Sequence, residues 1–562
     1  MQSSGANFAD PMESDSSQRT LGGIARGAAL IASLTVLSRL LGLVRTLVFS
    51  QSIGAGCLGT AYLTAYQVPN LIAELALGGA LTCAMVPVLT RLAERAAYDP
   101  ADKERLGQIL SALLTWAVVI MLPITLIIVG VAGPIASLLN PANANAHCAH
   151  ADMVHTTTSM IEVFAPQVLL YGLSVVLIGL LQAFRRFAGP ALAPVIVNLV
   201  LISSYIVFAI LDKGSSFART PVAAELVLSI CTTVSIATLV LVVAVPTRRL
   251  RLKIRPCLRL PTEIARRAGG LVIVGVIEFL ATDLSSVVII ELANGRGETG
   301  ALVLFNYAWL VCSAVFAVLA TSIVTSTFPV LSARDGGVFD RTCAGSTRAV
   351  LLMSWLGSAM IAAVAVPAAH VLARQPGQVP ELIQGFALFA PGIAAMAVIA
   401  NISRVMLAVG RLRVAAVALG GSWMMVIAAD VLLAEFAPAH LVVAALALGN
   451  TIGQTVVAVP LVLVTRRIRG EAAVRGVGRT ALAGLTAGAV AAVVGLAITL
   501  AAPATGKLLA AGVAVVAAGC AVLVFGIVAY PLAREDMKVV TARMREFAAP
   551  ATGHAPGCCD RT

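Results

Sequence analysis

The stretch Arg248-Arg249-Leu250-Arg251-Leu252-Lys253-Ile254-Arg255-Pro256-Cys257-Leu258-Arg259-Leu260-Pro261-Thr262-Glu263-Ile264-Ala265-Arg266-Arg267 carries eight of the chain's 39 Lys and Arg residues. It separates two apolar runs, 222–246 and 268–292. Each is long enough to cross the ~30 Å hydrocarbon core of a bilayer, which takes about 20 helical residues. A dense basic connection between two spanning segments marks the cytoplasmic side.

Working outward, the sequence divides into fourteen such segments: 27–53, 59–89, 107–133, 158–184, 190–211, 222–246, 268–292, 299–331, 349–372, 382–410, 414–434, 441–464, 480–501 and 508–532. The basic residues fall into alternate connections. Thirty-one lie on the expected inner side and five on the outer side: Lys213, Arg219, Arg296, Arg374 and Lys507. The remaining three, Arg39, Arg45 and Arg404, fall inside segments. A missed or invented helix would break the alternation downstream of the error. The partition therefore predicts the segment count together with the orientation, an inner-membrane chain with both termini in the cytoplasm.

Composition agrees. Of 562 residues 59% are hydrophobic and 12% charged, with a mean hydropathy of +0.95. A soluble domain is about one quarter charged. The net charge of +12 resides at helix ends, so it reads as topology and excludes nucleic acid as the partner. The run at 27–53 is too long for a signal-peptide core and reads as a retained first span. The ten cysteines include no CxxC pair, and most lie in apolar runs where free buried thiols are expected. On the predicted topology Cys148 labels with an impermeant thiol reagent from outside, and Cys257 only after permeabilisation. His147, His150 and His155 share one connection, which reads as an ordinary polar loop ahead of a metal site. Gly506-Lys507 is not a phosphate loop, since Ala501 and Leu508 occupy the flanking motif positions. No cofactor and no enzymatic constellation is expected. Energy must then come from the membrane potential or from an H⁺ or Na⁺ gradient.

Two internal echoes point to duplication. Val86-Pro87-Val88-Leu89 closes the second segment and Phe328-Pro329-Val330-Leu331 the eighth. Gln182-Ala183-Phe184-Arg185-Arg186 is echoed by Leu407-Ala408-Val409-Gly410-Arg411. Repeats six spans apart keep their membrane orientation and imply two parallel lobes around a central site. The expected organisation is an all-α polytopic protein of two pseudo-symmetric six-helix lobes. It has a polar tail at 1–26, an N-lobe at 27–250, a C-lobe at 251–466, two extra helices at 467–533 and a tail at 534–562.

Ionisable residues inside spans cost at least ~2.5–3.5 kcal/mol on insertion scales and face cavities or partners. Arg39 and Arg45 lie too deep in the first span for both to reach the interface and are expected to line a water-filled cavity. Glu74 either pairs with one of them or lines the same space. Glu278 and Asp283 either pair within the bundle or carry coupling ions. Arg404 and Asp430 lie near segment ends and are expected to snorkel. Asn70, directly after Pro69, and Asn198, one turn from Pro194, are expected to satisfy backbone groups that these prolines leave unpaired.

Ser38-Arg39-Leu40-Leu41-Gly42-Leu43-Val44-Arg45 resembles the first-helix motif of the MurJ (MviN) lipid II flippases. Pro69-Asn70-Leu71, Gly79-Ala80 and Val86-Pro87-Val88-Leu89 are similar to their second helix. The segment Phe187-Ala188-Gly189-Pro190-Ala191-Leu192-Ala193-Pro194 with Asn198 resembles the helix four-to-five junction, and Tyr307-Ala308 with Phe328-Pro329-Val330-Leu331-Ser332 resembles helix eight. The resemblance spans 27 to about 465. It implies the fold of the multidrug/oligosaccharidyl-lipid/polysaccharide exporter superfamily. It further implies translocation of an undecaprenyl-pyrophosphate-linked peptidoglycan precursor between leaflets, with membrane lipids and cell-wall synthesis proteins as partners. Ser38, Arg39, Arg45, Asn70 and Glu74 then fall at the central cavity, where Arg can hold a pyrophosphate bidentately. The chain departs from the family at Thr46, Thr60, Gln67, Ala73-Glu74 and Trp309-Leu310, where charged residues are usual. That pattern fits a divergent, actinobacterial-type branch. The alternatives are a non-transporting scaffold of cell-wall synthesis, or another exporter of the superfamily carrying a lipid-linked polysaccharide or a drug.

Overall fold

In the computed structural model, residues 33–77, 95, 99–184, 186–212, 217, 220–250, 252, 255–258, 269–320, 323–324, 336–502, 506–534 and 536–537 are described. Among them there is no strand. The helices in chain order are α1 (Ser33–Ser52), α2 (Cys57–Leu77), α3 (Pro100–Gly130), α4 (Ala132–Leu139), α5 (His150–Phe164), α6 (Pro166–Ala183), α7 (Ala188–Asp212) and α8 (Val222–Arg248). They continue with α9 (Gly269–Arg296), α10 (Ala301–Leu319), α11 (Gly337–Leu372), α12 (Gln378–Phe389), α13 (Gly392–Ala408), α14 (Leu412–Phe436), α15 (Val442–Arg469), α16 (Val477–Ala501) and α17 (Lys507–Leu532).

Every expected segment coincides with a helix or a helix pair. Thirteen spans among the described residues are long and apolar enough to cross a membrane. The remaining segment is α2, which carries Thr60, Thr64, Gln67, Asn70 and Glu74 and is correspondingly more polar. The echo motifs Val86–Leu89 and Phe328–Leu331, and Gly79-Ala80, lie outside the described residues, as do the N-terminal tail and the C-terminal tail beyond 537.

The fourth and tenth spans are each broken in two, at Phe164-Ala165-Pro166 and at Phe389-Ala390-Pro391. Proline lacks the N–H that would continue the ladder, so each span restarts there. The same 225-residue offset relates the ends of α6 and α13. There the Arg186 N–H donates to Leu181 O, and the Arg411 N–H to Met406 O, both at 2.8 Å.

Helices α7 and α8 pack together and α8 against α6, while α14 packs against α15 and α9. Helices α16 and α17 lie against α11. The two halves meet where α2 touches α9 and α10, and the largest core cluster runs through this junction, from Phe49, Tyr62 and Tyr205 to Ile289, Leu302 and Tyr307. At the basic end, Arg469 pairs with Asp340 at 2.9 Å and Arg348 with Asp536 at 2.7 Å, tying α11 to α15 and to the segment after α17. The opening basic stretch also has a place. Leu250 and Leu252 pack on the cluster between α3 and α6, and the Arg255 and Cys257 N–H groups donate to Ser111 and Thr115.

Cys57 and Cys148 form a disulfide, with Cα atoms 5.9 Å apart, at the end opposite the basic connections. This corrects the expectation of a free, labelling-competent Cys148. Nothing in the spacing of the two residues, 91 positions apart, announces the pairing; the fold brings the first turn and the α4–α5 connection together.

Candidate functional site

Arg45 sits half-buried on α1, in the electrostatic environment of four tyrosines: Tyr205, Tyr66, Tyr62 and Tyr171. They come from α2, α6 and α7, and hydrogen bonds order them. The Tyr62 hydroxyl lies 3.1 Å from that of Tyr205 and 3.0 Å from Thr232 Oγ1, all buried. Tyr171 donates to Asn70 Oδ1 at 2.9 Å. Phe49 and Phe164 pack edge-on or tilted against these rings. Among the described residues Arg45 forms no ion pair with a carboxylate. Tyrosine hydroxyls are uncharged and do not neutralise a guanidinium, so its charge stays available to an anion. The neighbouring Thr46 hydroxyl is turned onto its own helix, donating to Gly42 O at 3.1 Å.

Arg39 is exposed on α1, six residues and about 9 Å along the axis toward the basic end. Asn198 reaches the backbone oxygen of Ser38 at 3.4 Å, so it ties α7 to α1. Both asparagines thus bridge helices, Asn70 to α6 and Asn198 to α1. The expectation that they repair the turns broken by Pro69 and Pro194 is corrected.

The acids lie mainly in the other half. Glu74, the one acid on α2, lies within the electrostatic reach of Asp283 of α9, and it forms no ion pair with Arg39 or Arg45 among the described residues. The Glu74–Arg lock is therefore not what the structure forms. Asp283 is 9% exposed, and neither carboxylate oxygen has a hydrogen-bond partner. Glu278 lies within the electrostatic reach of Arg404 without closing an ion pair. Arg404 is half-buried with Nη1 enclosed and unpaired. Asp430 on α14 is 0% exposed, with both oxygens unpartnered, against Gly449 of α15. Beside Gly449, Asn450 is also buried with both amide atoms unpaired. Snorkelling is thus corrected for Arg404 and Asp430. Distance along the segment did not decide their burial; the close approach of α14 to α15, permitted by Gly449 and Gly453, buries Asp430. Carboxylates are the ligands hard cations take, although no group of three His, Cys, Asp or Glu converges among the described residues.

Where charged residues were expected after Tyr307-Ala308, Trp309 packs on Phe389 and Trp423. Thr60 spends its hydroxyl on Gly56 O. In the sequence Tyr62 and Tyr66 stand out only as a feature that the second segment shares with Tyr307 of the eighth, and nothing singles out Tyr171 and Tyr205. A polar, tyrosine-bearing second helix beside a deep arginine was the available signal.

Fold and site together define a polytopic membrane protein with the architecture of solved exporters. The chain is similar to a lipid II flippase MurJ in an inward closed conformation, with a TM-score of 0.69 at 14% identity over 90% of this chain and 99% of that one. It is also similar to a multidrug resistance MATE family transporter of the MOP superfamily in an inward-facing conformation, with a TM-score of 0.62 at 14% identity over 79% of this chain and 98% of that one. The profile of the family described as lipid II flippase MurJ matches residues 49–515, and the chain belongs to that family. Among curated relatives it is 28% identical over 184 residues to the lipid II flippase MurJ of Burkholderia cenocepacia (strain ATCC BAA-245 / DSM 16553 / LMG 16656 / NCTC 13227 / J2315 / CF5610), covering 33% of this chain and 34% of that protein. It is 26% identical over 177 residues to a probable lipid II flippase MurJ of Rhizobium tropici, covering 31% of each. These alignments span about a third of the length of the curated relatives.

Proposed function

We propose that this protein moves a lipid-linked peptidoglycan precursor, an undecaprenyl-pyrophosphate glycolipid, from the inner to the outer leaflet by alternating access. The observation that carries the proposal is Arg45: a deep guanidinium in the electrostatic environment of four tyrosines, with no carboxylate neutralising it among the described residues. Such a group suits a diphosphate, which its planar fork can hold with two charge-assisted hydrogen bonds. Arg39, nearer the basic end, stands where the headgroup would enter, and Ser38, Asn70 and Glu74 lie around the path. The protein performs no covalent chemistry in this scheme.

The two half-molecules, 27–250 and 251–466, act as the moving lobes, and the shared breaks of the fourth and tenth spans support a common origin for them. Both termini face the cytoplasm. The charge partition supports this orientation, and so does the disulfide at the opposite end, because disulfides persist on the oxidising side. Cys148 is then expected to react with an impermeant maleimide on intact cells only after reduction, and Cys257 only after permeabilisation. Labelling of Cys257 in intact cells would reverse the orientation.

For energy, the outward movement of a negatively charged lipid draws on the cell-negative potential. One charge is worth about 2.3 kcal/mol per 100 mV, roughly a fifty-fold bias between leaflets. Glu278 or Asp283 binds the H⁺ or Na⁺ that resets the empty carrier. The test is depletion of the protein in its host. The precursor should accumulate on the cytoplasmic leaflet, and collapse of the potential should reproduce the block, whereas ATP depletion at clamped potential should not. Normal appearance of the precursor in the outer leaflet after depletion would overturn transport and leave the scaffold reading.

A further inference from the structure

At the disulfide end, five of the hydrogen bonds that cross between the halves share one form. A side chain of one half caps the C-terminal carbonyls of a helix in the other. The last carbonyls of a helix have no partner within it. Asn143, in the α4–α5 connection, donates to Asn294 O and Gly297 O at the end of α9, both at 2.8 Å. Asn294 in turn donates to Leu139 O, the last residue of α4, at 2.8 Å, and to Thr64 Oγ1 at 3.0 Å. Arg374, just past α11, donates to Ser52 O at the end of α1 at 3.0 Å. Gln51, in the last turn of α1, donates to Val371 O at the end of α11, also at 3.0 Å. Two helix pairs, α4 with α9 and α1 with α11, thus cap each other across the division.

Backbone contact seals the same surface. A side chain at Gly300, whose φ is +94°, would overlap the Ala55 carbonyl, and a Cβ at Gly295 would stand 2.7 Å from Pro141. The Cys57–Cys148 bridge lies within one half. It fastens the loop that carries Asn143 to the start of α2, next to the turn that meets Gly300.

We propose that this end is a gate latched by reciprocal capping of helix C-termini. Asn143 and Asn294 are its positioning residues, and the Cys57–Cys148 bridge holds Asn143 against α9. The proposal rests on the alternating-access reading. Carbonyls at helix ends exchange a protein donor for water when the halves part, so each broken cap costs little net free energy. A latch of this kind closes with defined geometry yet opens in every cycle. Because the bridge lies within one half, it stiffens the latch without preventing separation.

The test is a distance measurement on the full chain in lipid nanodiscs. Spin labels are placed at Ala144→Cys and Phe436→Cys, both exposed at this end, with the unbridged cysteines replaced by serine. Asn143→Asp preserves size but turns an acceptor toward two carbonyls, so folding is not in question. It should raise the ratio of long to short distances about tenfold, the loss of two hydrogen bonds. Asn294→Ala should act in the same direction, and the double variant should not exceed the larger single effect by the full product, since both residues share one network. Paired Cys57→Ser and Cys148→Ser should raise the ratio about threefold through a loosened loop. Distance distributions unchanged by both Asn143→Asp and the cysteine pair would overturn the latch. The measurement contains no substrate, so variants that shift as expected in a chain that moves no precursor would sustain the latch and overturn the transport reading.

Discussion

The two halves of the molecule meet with opposite chemistry. In the N-terminal half a single guanidinium, Arg45, lies in the electrostatic environment of four tyrosines, of which Tyr62 bonds Tyr205 and Tyr171 bonds Asn70. In the C-terminal half Asp283 and Asp430 are enclosed with carboxylate oxygens that have no hydrogen-bond partner, and Glu381 is enclosed with one such oxygen. An anion is recognised by a donor-rich, uncompensated cation, whereas enclosed carboxylates respond to protons or metal cations. Placing the two on separate halves means that binding at either one biases the relative position of both, which is what coupling between sites requires.

The largest expected effect breaks the N-terminal side of this comparison. Arg45→Ala should lower the initial flipping rate at least ~100-fold, since two charge-assisted hydrogen bonds of about 1.5–3 kcal/mol each are lost. Arg45→Lys should lose roughly tenfold, keeping the charge but not the planar fork. Precursor movement in reconstituted vesicles measures both, and full activity of the alanine variant would remove the basis for an anion site in this half.

Next comes the C-terminal side. Asp283→Asn keeps the volume and removes the charge. Stimulation of flipping by an imposed H⁺ or Na⁺ gradient should fall about tenfold, within the usual 1–3 kcal/mol of site-to-site coupling. Retained stimulation would move the ion role to another acid of this half.

A stability measurement sharpens the same contrast. Gly449→Ala would drive a Cβ into the Asp430 carboxylate and to 3.0 Å from its backbone nitrogen. Thermal unfolding in detergent should show a loss of about 1–3 kcal/mol, the cost of overpacking. The smallest effect belongs to the tyrosines. Tyr62→Phe removes the hydroxyl that joins Tyr205 and Thr232, and should cost about 0.5–1.5 kcal/mol. Thr232 keeps its bond to Leu228 O at 2.7 Å, so Tyr205 is the group left short.

The sequence by itself determined the helices, their number and their alternation, because a bilayer imposes a length on every span and a charge bias on every connection. It also placed Arg39 and Arg45 on the first helix. Tertiary structure alone decided what those residues meet. Asp430 looked superficial by its distance from a segment end, but two glycines of α15 let α14 approach and enclose it. Glu74 looked like a partner for arginine but forms no ion pair with Arg39 or Arg45. Cys57 and Cys148 stand 91 residues apart and became neighbours only when α2 and the α4–α5 connection met. One-dimensional pattern reports what each segment exchanges with lipid and water; which side chains face one another depends on helix approach distances, and those are set by packing between segments far apart in the chain.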